Sequence, residues 1–222
     1  QPPSNSFIKF LNKKEKKFSL KVKICEKCGL SQLDTVVSPK NIFKDYVYLS
    51  SSSKALVEHY KNMTLEILKV TKPKKDSLIL DIGSNDGITL KNYDQRKYNV
   101  VGIEPSSASK YAIKTGIKTE KIFFNSKNSI KLRKKYNTAI IITATNVFAH
   151  NDKIQDFVNG IRNILDFNGV FVIEFPYLDF MLKENFYDTI YHEHYSYLSI
   201  TPLNFLFNKF QLKIFKIRQV NL

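Results

Sequence analysis

Thirteen residues, Tyr187 to Ser199 (YDTIYHEHYSYLS), hold two of the chain's four histidines, a glutamate between them and four tyrosines. Imidazole exchanges its proton near neutral pH, and phenols or protonated carboxyls beside it can donate hydrogen bonds. Three uses compete for such a cluster. On an extended segment His192 and His194 would point to opposite sides while the tyrosines filled a core. As ligands, the H-x-H pair with Glu193 could hold zinc or iron, but no further ligand is evident nearby. As a base, one histidine could take a proton from carbon next to a carbonyl, with Tyr191 or Glu193 holding the enolate that results.

A second constellation lies earlier, in LDIGSNDGITL. There Asp81 and two glycines four apart, Gly83 and Gly87, follow a short apolar run. Glycines at such a turn let the backbone reverse sharply and approach a ligand closely. The spacing is neither G-x-G-x-x-G nor a Gly-Lys-Ser/Thr phosphate loop. It resembles the first motif of class I S-adenosylmethionine (SAM) methyltransferases. The next apolar run, VVGIEPS, ends in Glu104, where a carboxylate can accept from both hydroxyls of a ribose. In the resembling family the glycine loop and its leading acid face the amino-acid part of SAM, and the second-strand acid holds the ribose. Asp81, Gly83, Gly87 and Glu104 are therefore the expected cofactor residues. Asn125, in FFNS, would lie beside the adenine. Asn146 and His150, in TATNVFAH, would stand where the methyl end of the cofactor meets substrate. The plainer reading of His150 is a surface histidine near a helix start.

The elements that must position these groups are legible as apolar runs. SLILDI, YNVVGI, KIFF, TAIIITA and GVFVIEF are short, β-branched and continuously apolar, as strands buried on both faces are. With helical segments between them they predict a doubly wound α/β sheet of the class I SAM-methyltransferase, Rossmann-like kind. A helix is expected to start near Ile88, and LKIFKIRQV reads as a last strand. Residues 54–71 predict a helix with Leu56, Tyr60, Met63, Leu65, Ile67 and Leu68 on its apolar face, ended by Lys72-Pro73. Three zones follow: an irregular segment at 1–53, a connecting helix and linker at 54–76, and a core at 77–222.

Composition narrows the classes further. At 222 residues and 43% hydrophobic content the chain can bury a sizeable core. No apolar run approaches the roughly 20 residues of a membrane-spanning helix, and the start QPPSNSFIKF lacks a signal-peptide layout. A cytoplasmic location and no membrane partner are the expectation. The net charge of +15 would attract phosphates, but the lysines are scattered without interleaved aromatics. Nucleic acid is not expected as a partner.

In order along the chain, KICEKCGLSQL, DYVYLSSSS, LDIGSNDG, NVFAHNDKIQDFVNGI and YDTIYHEHYSY resemble the sugar C-methyltransferases that act on dTDP-linked 4-keto-6-deoxy sugars. The resemblance spans nearly the whole chain, and YHEHYSY is its most specific element. It implies that His194 takes the proton from sugar C3 and that Glu193 and Tyr191 orient the sugar and stabilise the enolate. It also implies that Tyr46 or Tyr48 reaches over the cofactor, that His192 is structural, and that a nucleotide sugar is the substrate. Members carry an N-terminal zinc module with two cysteine pairs. Only Cys25 and Cys28 are present here, an incomplete metal site, and zinc is expected in the complete protein. A second α/β domain of the family is absent too, so the chain reads as shortened at both ends. Two other readings stay open: an O- or N-methyltransferase on a sugar or other small molecule, and a basic nucleic-acid-binding module. Oligomeric state is not legible.

Overall fold

The computed structural model describes residues 1–3, 14–42 and 48–220. Near the N-terminus β1 (Val22–Ile24) and β2 (Ser31–Leu33) form an antiparallel hairpin around the Cys25-x-x-Cys28 turn, followed by a short helix, α1 (Pro39–Ile42). The long helix α2 (Lys54–Thr71) starts at Ser53, whose hydroxyl accepts from the Leu56 amide, and stops at Lys72 in a left-handed conformation just before Pro73.

Five parallel strands then alternate with helices: β3 (Leu78–Ile82), β4 (Asn99–Ile103), α3 (Ser109–Lys114), β5 (Thr119–Glu120), α4 (Ser126–Tyr136), β6 (Ala139–Thr145), α5 (Ile154–Ile164) and β7 (Leu165–Glu174). Their order across the sheet is β5-β4-β3-β6-β7. The direction of winding reverses between β3 and β6, which opens a crevice at the carboxyl ends of the strands. Beyond β7 come α6 (Leu178–Lys183), β8 (Ser196–Tyr197) and α7 (Ile200–Lys209). β8 does not join the parallel sheet. It pairs antiparallel with β2, so the N-terminal hairpin and the His-Glu-His segment share one small sheet.

The period-2 alternation of the strands sorts the core into two layers. Leu78, Leu80, Ile82, Val101, Ile103, Ile142 and Ala144 face α4, α5 and α7, where Phe148 and Phe157 meet edge to face at 5.4 Å. Ile79, Val100 and Ile141 face α2 and α3, packing on Tyr60, Met63 and Ile67. Both faces of β3 are thus covered, and all five of its residues are buried.

Four expectations need correction. The third strand is Thr119–Glu120, not KIFF. The Ile122 amide turns back to the Glu120 carbonyl at 3.0 Å, and Phe124 leaves the sheet to pack on Phe157 at 5.1 Å. No α-helix starts near Ile88. A turn and a single 3-10 turn, Leu90–Asn92, stand there instead, where the Asn92 side-chain Nδ2 donates to the Ile88 and Thr89 carbonyls that a longer helix would use. Residues 212–220 form no strand. Leu65 is half-exposed and lies off the buried face of α2. No described helix is long and apolar enough to cross a membrane.

Leu80 is fully buried whereas Leu65 is 49% exposed. Leu80→Ala is expected to cost about 2–5 kcal/mol in urea unfolding, and Leu65→Ala no more than about 0.5 kcal/mol.

Candidate active site

The site is built at the carboxyl ends of β3, β4, β6 and β7, around a cavity of about 1000 Å³. Backbone reversal after β3 uses left-handed φ at Gly83 (68°), Asn85 (50°) and Gly87 (80°). A Cβ on Gly83 would stand 2.1 Å from Val147, so conformation and space both demand glycine there. The loop is fastened to β4 by the amides of Gly83 and Ser84, which donate to the Ile103 carbonyl. Gly83 lines the cavity, and Gly87 stands outside its lining, against Ile117.

Two buried carboxylates border this loop. Asp81 accepts from the Thr143 hydroxyl at 2.5 Å, and burial pushes its carboxyl up to about 7 against the help of the Thr143 and Thr89 hydroxyls. Glu104 accepts from the amides of Asn85 (2.9 Å) and Ser106 (2.8 Å) through different oxygens. A carboxylate has about four lone-pair positions, so capacity remains for two ligand hydroxyls. Asn125 lines the cavity, but its side-chain oxygen caps α4 by accepting from the Asn128 amide at 2.8 Å. Asn146 lines it too, just beyond β6.

The serine run closes over the loop. Asn85 Oδ1 accepts from the Ser50 amide and Asp86 from the amide and hydroxyl of Ser51, while Asn85 Nδ2 donates to the Tyr48 carbonyl at 3.0 Å. Tyr48 is thereby held at the cavity. Tyr46 lies outside the described residues.

The His-Glu-His segment borders the same cavity and is a turn rather than an extended strand at residues 191–194. Its geometry assigns the tautomer of His194. Nδ1 is 2.8 Å from the Thr189 carbonyl, which can only accept, so Nδ1 carries the hydrogen and Nε2 is the basic atom. Nε2 lies 3.0 Å from the Tyr191 hydroxyl. Burial holds the His194 imidazole below its ordinary range, the Thr189 bond opposing, so it is neutral at pH 7. Burial pushes the Tyr191 phenol up to about 12, which keeps it a donor. His150 is no surface histidine. Its ring packs against His194 at 4.8 Å, and burial with the nearby His194 lowers it to about 3. Tyr191, Glu193, His194 and His150 all line the cavity. His192 turns away, with Nε2 3.3 Å from the Ser19 carbonyl and its ring near Phe18.

Cys25 and Cys28 are elsewhere, beside a smaller cavity against α5 and α7. Both are free thiols. The Cys28 and Lys27 backbone amides hold the Cys25 thiol below its ordinary range, as suits a metal ligand. A closed zinc site takes four ligands, and among the described residues no group of three or more candidate ligands is assembled.

Three residues tied to the site were not anticipated there from sequence: Tyr60 of α2, which lines the cavity, and Glu174 closing β7, which pairs with His59 of α2 and bonds to Asn146. A helical histidine carries no signal by itself. An acid ending an apolar parallel strand, as in VFVIEF, was a readable one.

A reversing parallel sheet, a glycine loop and an acid closing the second strand together define the class I SAM-dependent methyltransferase fold. Residues 57–217 match the family model described as a methyltransferase domain, and the chain belongs to that family. Residues 1–43 match a second model, described as a candidate zinc binding domain. The C-methyltransferase NovU of Streptomyces niveus is 30% identical over 198 residues, covering 89% of this chain and 47% of NovU. The chain thus spans about half the length of that curated relative. Among solved structures, the plantazolicin methyltransferase BamL, in complex with S-adenosylhomocysteine (SAH) and a triazolic desmethylPZN analogue, superposes with a TM-score of 0.55 at 18% identity over 72% of this chain and 64% of BamL. The YcgJ protein of Bacillus subtilis gives 0.54 at 15% identity, over 70% and 69%. The CurJ carbon methyltransferase gives 0.54 at 11%, over 76% and 52%. At these identities the likeness is one of fold.

Two buried carboxylates, Asp81 and Glu104, line the cavity, a lining compatible with a ligand that carries a cationic group and hydroxyls. The raised Asp81 carboxyl sets a sign. Its folded value of about 7 exceeds the unfolded value near 4, so its charging weakens the empty fold as pH rises from about 4 to about 7. A cation bound beside Asp81 reverses that cost. By calorimetry, SAM affinity is expected to rise with pH up to about 7 and then level, and Asp81→Asn is expected to flatten the rise.

Proposed function

We propose that the protein transfers a methyl group from SAM to a carbon next to a ketone, in a nucleotide-linked deoxy sugar such as C3 of a dTDP-4-keto-6-deoxy sugar. The observation that carries this reading is a neutral, tautomer-fixed His194 with Nε2 and the Tyr191 hydroxyl side by side in the cavity that also holds Asp81 and Glu104. An oxygen or nitrogen acceptor can also use a base, but only a carbon acid leaves an enolate oxygen for a phenol donor such as Tyr191 to hold. The 30% identity to a C-methyltransferase supports it from another direction.

Asp81 and the glycine loop would hold the amino-acid part of SAM, and Glu104 its ribose. When bound there, SAM supplies an electrophilic methyl group. His194 Nε2 takes the proton from the sugar carbon, and the electron pair left on carbon delocalises onto the ketone oxygen. Tyr191, released from His194 as Nε2 is protonated, donates to that oxygen, and Glu193 helps orient the ring. His150 packs a neutral imidazole beside the one that becomes charged, adding no positive charge to resist protonation. Zinc on Cys25 and Cys28, completed by ligands beyond this pair, would brace the β1–β2 hairpin.

The test is exchange of the sugar C3 hydrogen with deuterated solvent, followed by NMR in the presence of SAH. Exchange is expected to be complete in its pH dependence by neutrality, because the His194 imidazole is held below its ordinary range and is already deprotonated. His194→Ala is expected to slow it by about 10²–10⁴-fold. SAM binding without exchange in any keto sugar would overturn C-methylation and point to an oxygen or nitrogen acceptor.

A further inference from the structure

His59 on α2 and Glu174 at the end of β7 meet with Nε2 2.5 Å from Oε2, their side chains only 9% and 14% exposed. Neither belongs to the base segment or the glycine loop. The other Glu174 oxygen, Oε1, accepts from Nδ2 of Asn146 at 3.3 Å, and the Glu174 main-chain carbonyl accepts from the Asn146 amide at 2.8 Å. Asn146 holds a left-handed φ of 53° directly after β6. Its Nδ2 also lies 3.4 Å from Oη of buried Tyr60, which lines the same cavity.

This arrangement decides which end of the Asn146 amide is available. An ionised carboxylate only accepts, so Nδ2 must face Glu174, and Oδ1 is left on the other arm of the same planar group. His59 occupies the remaining Glu174 oxygen and holds the carboxylate in place from the α2 side. Toward a ligand, an amide oxygen attracts a cation, whereas an NH2 repels it. SAM and its demethylated product differ at one atom, a sulfonium cation in the first and a neutral sulfide in the second.

We propose that Glu174, clamped by His59, is a positioning residue that turns the Asn146 oxygen toward the cationic end of the cofactor, so that the site favours the charged methyl donor over the neutral product. This rests on the SAM reading of the cavity. It goes further in naming what separates donor from product. A purely structural His59–Glu174 tie between α2 and β7 would affect both ligands alike.

The experiment is calorimetric titration of the full chain with SAM and with SAH, for the wild type, Glu174→Gln, Asn146→Gly and the double variant, with thermal melts alongside. A glutamine can donate as well as accept, so it no longer dictates the amide orientation. Glu174→Gln is expected to weaken SAM about tenfold and SAH less than about twofold, the scale of one charge-assisted hydrogen bond. Asn146→Gly keeps the left-handed backbone and is expected to lower the SAM:SAH preference to the same extent. In its background Glu174→Gln is expected to change that preference no further. Equal weakening of both ligands, or additive losses of preference in the double variant, would overturn the proposal. Should Glu174→Gln fail to fold, an unchanged preference in Asn146→Gly overturns it alone. A wild-type chain that binds neither ligand overturns the cofactor reading, and the proposal with it.

Discussion

Both hydrogen-bonding groups of one peptide unit pair, Tyr195, hold the two halves of this molecule together. Its amide donates to Ala149, beyond β6 at the parallel sheet, and its carbonyl accepts from Leu33 of the N-terminal hairpin, each at 3.0 Å. Its phenol reaches the Val37 carbonyl at 2.6 Å, and β8 begins at the next residue. The residue before Tyr195 is His194. A base on a long connection would sample many positions, and ordering it costs about 1–2 kcal/mol per residue in backbone entropy. Here buried backbone bonds, which are expensive to break without replacement, fix its neighbours on two sides. The N-terminal hairpin is consequently part of the support of His194, the proposed base, and His192 adds to that support through Ser19.

Charge is distributed in the site against the trend of the chain. The net charge is +15, yet Asp81, Glu104, Asp152, Asp156 and Glu193 line the main cavity, with Lys153 the one lysine or arginine among its described lining residues. Burial keeps both cavity histidines uncharged and Tyr191 protonated. The cavity therefore offers carboxylates that favour a cation together with a neutral imidazole and a phenol donor. Asn146 and His150 line the same cavity, one just past β6 and the other a turn later. Such placement follows from the sheet, since a parallel strand delivers its C-terminal residues to the same edge as its neighbours.

The loop over the cofactor half shows how local chemistry and tertiary contact combine. Gly83 and Gly87 are needed because of backbone sign, which is a local property. Asn85 and Asp86 between them look like ordinary turn residues. In the fold they hold Ser50 and Ser51, and so join the segment before α2 to the loop after β3.

Much of this was legible in the sequence, for physical reasons that operate over a few residues. Continuous apolar runs announced strands buried on both faces, a serine and a Lys-Pro bounded α2, and the acid-glycine spacing marked the reversal after β3. The resemblance carried by YHEHYSY singled out His194 over His192. Other features lay beyond local reading. KIFF has strand composition, but the sheet edge offered it only one neighbour and Phe124 found a better-packed place against Phe157. Leu65 fits an apolar helical face whose outer margin nothing covers. The neutrality of His150, the Nε2 tautomer of His194 and the His59–Glu174–Asn146 chain depend on groups as many as 115 residues apart being brought within bonding distance. By itself the sequence determined which groups could do chemistry and where four of the five strands of the parallel sheet would run. Only the tertiary structure decided which of them meet and in what protonation state, because burial and partners from distant segments, not residue type, set both.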